Sequence, residues 1–180
     1  MRALLLGASL LWGTAALPQP PYWRAMGRGT VGPTEIQTLY GDSVSGRLLA
    51  GGTFLRIMND QDTVLAYGQA AWNGLRWDSL AHRIQLSGSG NMTQQTFWFL
   101  RFQGRLYACG GFSFLAEDSI WNNALARLNE QTHHWEALEC INPNQSNLLT
   151  LVPKAPDSTL YATGYTRHSV RLSGELRVPL

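Results

Sequence analysis

The stretch GRLLAGGTF, Gly46 to Phe54, returns 58 positions later as GRLYACGGF, Gly104 to Phe112. It returns more faintly as STLYATGYT, Ser158 to Thr166, a further 54 positions on. A second anchor holds the first offset. Trp77 in RWDSL and Trp135 in HWEAL are also 58 apart, as are Leu80 and Leu138. Two separated anchors sharing one offset point to duplication, and periods of this length mark arrays of one supersecondary unit.

Within each unit the grammar is that of short strands. Apolar runs of four to eight residues alternate with Gly, Asn, Asp and Ser, which close strands and open turns. The first copy divides into EIQTLYGD, GRLLAGG, VLAYGQAAWN and LRWDSLA, and the second into QTFWFLRF, GRLYACGG, NNALARLN and HHWEALEC. The third is compressed into NLLTLVPK, STLYATGY, SVRLSG and ELRVPL. Asn73-Gly74 is a hairpin signal, since both residues accept positive φ. A strand that ends in glycine can bend sharply and let a neighbouring backbone approach. Helical periodicity is missing throughout. The fold class is therefore all-β, built from four-stranded antiparallel units.

These units resemble the kelch repeat, in which a diglycine closes the second strand and a Trp stands on the outer strand about two dozen residues later. Gly51-Gly52 precede Trp77 by 25 positions, and Gly110-Gly111 precede Trp135 by 24. The family's Tyr seven positions before the Trp is replaced by Ala70 and Leu128, and the third unit has Thr163-Gly164 and Leu176 at the marker positions. The AGGxF…WNGxxW rhythm is also similar to that of bacterial secreted β-propellers. The resemblance covers residues 22–180 and implies blades over 34–80, 94–140 and 147–180. It further implies that 22–27, YWRAMG, is an outer strand closing a last blade. Three blades against the usual four to eight imply an open arc, either a truncated chain or one completed by other copies through self-association. Truncation is the favoured alternative.

The N-terminus has the layout of a secretory signal peptide over 1–16: one Arg, an apolar run from Ala3 to Trp12, then Thr14-Ala15-Ala16. That run is about half of what a membrane-spanning helix requires. The expected location is outside the cell or at its surface. Thirteen of fourteen basic residues are Arg, scattered without a run, and the net charge is +2. No basic stripe for nucleic acid is present. An oxidising compartment permits a disulfide, but Cys109 on a second strand and Cys140 at the end of a fourth are separated by the strand between them. That spacing of roughly 10 Å exceeds disulfide reach, so free thiols are expected.

Chemistry-bearing clusters are few. His133-His134 fall at a turn, and neighbours on a strand face opposite ways. Neither a Gly-x-Ser-x-Gly elbow nor a Gly-rich phosphate loop occurs. Asp60 and Asp62 lie in the loop after the first diglycine strand, and Glu117 and Asp118 in the matching loop of the second unit, with Trp121 beside them. If blades stack, these loops emerge on one face. The carboxylates can meet sugar hydroxyls or a Ca2+ ion, and the Trp can meet a sugar ring or peptide. No cofactor is otherwise implied. The expectation is a secreted, non-catalytic module binding a protein or carbohydrate partner. The alternatives are an enzyme of the galactose-oxidase or propeller-hydrolase kind with its active site in other blades, or a purely structural segment.

Overall fold

A computed structural model describes residues 25–31, 34–81, 95–115, 121–138, 147–154, 159–165 and 170–172. At several strand ends, including 113–115 and 121–123, only the backbone is described. The expected leader over 1–16, Glu117, Asp118 and Cys140 lie outside these residues.

The described chain is all-β, without a helix. It opens with β1 (Gly29–Thr30), β2 (Glu35–Asp42), β3 (Arg47–Thr53), β4 (Arg56–Met58), β5 (Thr63–Leu65), β6 (Gln69–Trp72) and β7 (Trp77–Ser79). It continues with β8 (Gln95–Phe102), β9 (Arg105–Leu115), β10 (Trp121–Asn129) and β11 (His134–Ala137). The last strands are β12 (Asn147–Lys154), β13 (Thr159–Tyr165) and β14 (Val170–Leu172). Three sheets run in chain order from a first strand outward: β2-β3-β6-β7, β8-β9-β10-β11 and β12-β13-β14. A small sheet, β1-β4-β5, stands apart from that pattern. All pairings are antiparallel.

The three main sheets share one plan down to a single irregularity. In the first, Ile36 pairs with Gly52 and Thr38 with Gly51, leaving Gln37 as a bulge. In the second, Thr96 pairs with Gly110 and Trp98 with Cys109, so Phe97 bulges. In the third, Leu148 pairs with Gly164 and Thr150 with Thr163, so Leu149 bulges. Each bulge thus follows a residue paired to a glycine of the repeated phrase. The reason is steric. A Cβ on Gly52 would land on the Glu35 carbonyl oxygen, and one on Gly110 on the Gln95 carbonyl oxygen, far inside the 3.0 Å that real Cβ atoms respect. The first strands are offset by 60 residues and the second strands by 58. The difference comes from the turn, which spans 43–46 in the first sheet but only Gln103-Gly104 in the second. Both Gln103 (φ 48) and Gly104 (φ 74) are left-handed, as a two-residue I′ hairpin requires.

The sheets pack face to face. Period-2 alternation divides β9: Leu106 and Ala108 join Leu49, Ala71 and Leu80 of the first sheet. Tyr107 and Cys109 join Leu148, Leu151 and Leu160 of the third. β10 divides likewise, with Ala126 and Leu128 toward the first sheet and Leu125 toward the third. A sheet buried on both faces explains why RLYACGGF is a continuous apolar run rather than an alternating one. The first strands also neighbour one another, β2 beside β8 and β8 beside β12.

One ion-pair network joins the first two sheets at that inner edge. The Arg101 guanidinium donates to both Asp42 carboxylate oxygens (2.7 and 2.6 Å) and to Glu130 (2.7 Å). Its backbone N–H donates to the Tyr40 hydroxyl at 3.1 Å. Burial alone pushes the Asp42 carboxyl up. The bonds from Arg101, the Ser45 hydroxyl and the Val44 N–H outweigh that and hold it at about 2. Hydrogen bonding to Asp42 raises Arg101 in turn, so both partners stay charged.

The first sheet departs from the sequence reading at one place. VLAYGQAAWN is not one strand: Val64-Leu65 end β5, and β6 starts at Gln69 after a turn at Tyr67 (φ 47) and Gly68 (φ 77). The β4–β5 hairpin folds back over the sheet's remaining face. There Ile57, Phe54, Ala66 and Val64 pack on Ala50, Ala70 and Trp77. Of the expected outer strand 22–27, residues 25–27 carry no strand and 22–24 lie outside the described residues. Met26 nonetheless packs in this cluster, and its carbonyl accepts the Trp77 indole N–H at 2.6 Å.

Candidate functional site

Asp60 and Asp62 sit in the turn of the β4–β5 hairpin, closed by the Asn59 N–H donating to the Asp62 carbonyl at 2.9 Å. Asn59 is the organiser. It is buried, and its Oδ1 accepts the Trp77 N–H (2.7 Å) while its Nδ2 donates to the Trp77 carbonyl (3.0 Å). Its amide therefore occupies the free edge of β7 as a strand's backbone would. The same Nδ2 donates to Asp62 Oδ1 at 2.6 Å, and Arg76 approaches Asp62 Oδ2 at 3.5 Å. Both Asp62 oxygens are thus engaged within the protein, while Asp60 is exposed.

The acidic turn borders β7, the outer strand of its sheet, rather than the line of first strands. Glu117 and Asp118 lie outside the described residues, and Trp121 is described only as the first residue of β10, paired with Leu115. The structure joins Asp62 to Arg76, which also pairs with Asp78, while Asp60 is exposed two residues before Asp62 in the same turn.

Next to this turn lies a feature the sequence reading missed. A shallow pocket of about 200 Å³ is lined by Ala25, Met26, Trp72, Gly74 and Leu75. It is framed by the β6–β7 turn, where the Asn73 N–H donates to the Arg76 carbonyl (3.2 Å) and Gly74 has φ 100. The two central residues are Gly74-Leu75, so the signal at Asn73-Gly74 was one position early. Asn73 instead caps the turn, its Oδ1 accepting the N–H groups of Leu75 (2.9 Å) and Arg76 (3.0 Å). This fixes Leu75 outward, 87% exposed, beside Trp72, whose ring tilts on Trp77 at 5.4 Å. A leucine at a central turn position, where polar residues prevail, is the signal that marks it.

The arrangement is a small apolar floor followed along the chain by a charged group of Arg76, Asp78 (3.0 Å apart) and Asp62 (3.5 Å from Arg76). Among the described residues no group of three His, Cys, Asp or Glu side chains gathers as metal ligands would. Cys109 is a free, buried thiol, and burial pushes it up to about 12. It serves as a small apolar core residue of the second sheet. His133 takes the left-handed turn position (φ 56) and His134 begins β11. No protein-family model, curated protein or solved structure matches the chain.

Proposed function

We propose that this chain is a non-catalytic, exported module of propeller-type sheets that binds a protein or glycan partner at the margin of its first sheet. The propeller-type arrangement is supported by the thrice-repeated bulge, the face-to-face packing and the neighbouring first strands. Antiparallel units repeated radially leave only short protected edges. The export component rests on the leader-like layout of residues 1–16.

The observation that carries the binding assignment is Leu75, held outward by a capped turn over an apolar pocket with a charged rim. Rigid, exposed apolar anchors beside polar groups are the usual composition of a recognition patch. The charged groups next to it fit sugar hydroxyls or peptide amides. Among the described residues, the buried charges join strands or sheets, as Asp42–Arg101 and Arg127–Glu136 do.

Screening the full chain on glycan and peptide arrays, then titrating the strongest ligand, tests this. Leu75→Asp is expected to weaken binding at least about tenfold with an unchanged melting temperature, and Asp60→Asn to weaken it less. Ligand binding that is indifferent to Leu75→Asp, or no ligand of either class, contradicts the assignment.

A further inference from the structure

The cap of the β6–β7 turn holds an amide carbonyl in an activated position. Asn73 Oδ1 accepts the N–H groups of Leu75 at 2.9 Å and Arg76 at 3.0 Å, and Asn73 Nδ2 donates to Asp78 Oδ2 at 3.1 Å. Both donors to Oδ1 lie beyond Gly74, so the side-chain amide folds back toward the Gly74 nitrogen. Among the described residues the Gly74 N–H has no hydrogen-bond acceptor. Asn73 and Gly74 are both exposed to water, and a Cβ built on Gly74 would meet nothing within 4 Å.

We propose that Asn73-Gly74 is a self-modifying site, where the folded turn converts Asn73 to an aspartyl or isoaspartyl residue with water as the only co-reactant. The Gly74 nitrogen gives up its proton and attacks Asn73 Cγ, which no side chain on residue 74 obstructs. The new Cγ–N bond closes a five-membered ring, and the displaced electron pair moves to Oδ1. Two backbone N–H groups already stand at that oxygen, both within the range of about 2.7–3.1 Å that defines an oxyanion hole. The pair then returns to Cγ as the Cγ–Nδ2 bond breaks, and Nδ2 takes a proton from water and leaves as ammonia. Water opens the cyclic imide by adding its hydroxyl to one carbonyl carbon while the Gly74 nitrogen regains a proton. Addition at Cγ gives Asp, and addition at the Asn73 main-chain carbonyl gives isoaspartate. Nothing is oxidised or reduced: water is consumed and ammonia released.

The second sheet carries an internal control. Asn129 Oδ1 accepts the N–H groups of Gln131 (3.0 Å) and Thr132 (3.2 Å), and its Nδ2 donates to Glu136 Oε1 at 2.9 Å. The cap is of the same kind, but Glu130 follows it in place of glycine, with its side chain tied to Arg101 at 2.7 Å. Conversion at Asn73 would set a new carboxylate against Asp78, and like charges at that distance repel. The isoaspartyl product also lengthens the main chain by one carbon before Gly74. Either change loosens the turn that holds Leu75 outward. That consequence rests on the ligand-site reading, whereas the modification itself does not.

Mass spectrometry of tryptic peptides follows the conversion in the full chain, held in warm neutral buffer. The peptide Ile57 to Arg76 is expected to exchange its Asn73 amide for an acid, with isoaspartate identified by fragmentation. The same chain unfolded in guanidinium chloride loses both donors to Oδ1, so native conversion is expected to be at least about tenfold faster than unfolded. Asn129 in the native chain is expected to convert at least about tenfold more slowly than Asn73. Gly74→Ala is expected to slow the reaction by a similar factor. Because alanine is strained at φ 100, the comparison of native and unfolded wild type decides the matter without a variant. An unchanged Asn73, a native rate that falls short of the expected excess, or Asn129 keeping pace with Asn73 overturns the inference. The readout is mass, so failure here leaves the Leu75 site standing, and failure to find a ligand leaves the modification standing.

Discussion

At the scale of single residues, Asp42 shows how a buried charge serves this fold. Its side chain is 2% exposed, yet its carboxyl sits at about 2 rather than 3.8, because Arg101, Ser45 and Val44 satisfy it. A carboxyl depressed by folding stabilises the protein above its unfolded value and loses that contribution as pH falls through its folded value. The shift corresponds to about 2 kcal/mol, present at pH 5 and largely gone near pH 2. Urea denaturation at those two pH values is expected to show Asp42→Asn less stable than wild type at pH 5 and close to it at pH 2. A constant difference across that range would mean that the network does not link the two sheets as described.

Elements were legible where local chemistry decides them. The bounds of β2, β8 and β12 coincide with the runs EIQTLYGD, QTFWFLRF and NLLTLVPK, since each is an apolar or alternating run stopped by turn residues. The β4–β5 hairpin was not legible. Its separation from β6 depends on Tyr67 adopting a left-handed φ, which no residue preference announces. The link from Asn59 to Trp77 spans 18 residues and arises only when the hairpin folds back. The candidate site shares this division: the loop position of Asp60 and Asp62 could be read, but their place beside β7, and the pocket at Leu75, depend on non-local packing. The bulge is the best test at this scale. Gly110→Ala is expected to cost about 1–3 kcal/mol in chemical denaturation, the range for overpacking, because its Cβ must displace the Gln95 backbone. Gly41→Ala, with nothing within 4 Å, serves as the control and is expected to stay within about 0.5 kcal/mol. Equal effects at both positions would break the steric reading of the repeated glycine.

At the scale of the whole molecule, duplication explains what is repeated from sheet to sheet. One sheet plan is written three times; the middle copy buries a face against each neighbour, and the β4–β5 hairpin covers the outer rows of the first copy's other face. A unit of this kind cannot complete its own core, so neighbours share one. That is why the middle sheet is apolar on both sides while the outer two each keep a bare inner row. The same position in the repeat therefore has three different energetic roles, set by neighbours and not by residue type. Chemical denaturation of Leu39→Ala, Phe99→Ala and Leu151→Ala, at concentrations where the protein is monomeric, tests this most directly. Phe99→Ala is expected to cost about 3–5 kcal/mol and Leu151→Ala about 2–5 kcal/mol. Leu39→Ala is expected to cost no more than about 0.5 kcal/mol, as at an exposed site. Comparable losses at all three positions, or a large loss confined to Leu39, would contradict a stack of three sheets in which the inner row of the first sheet stays exposed.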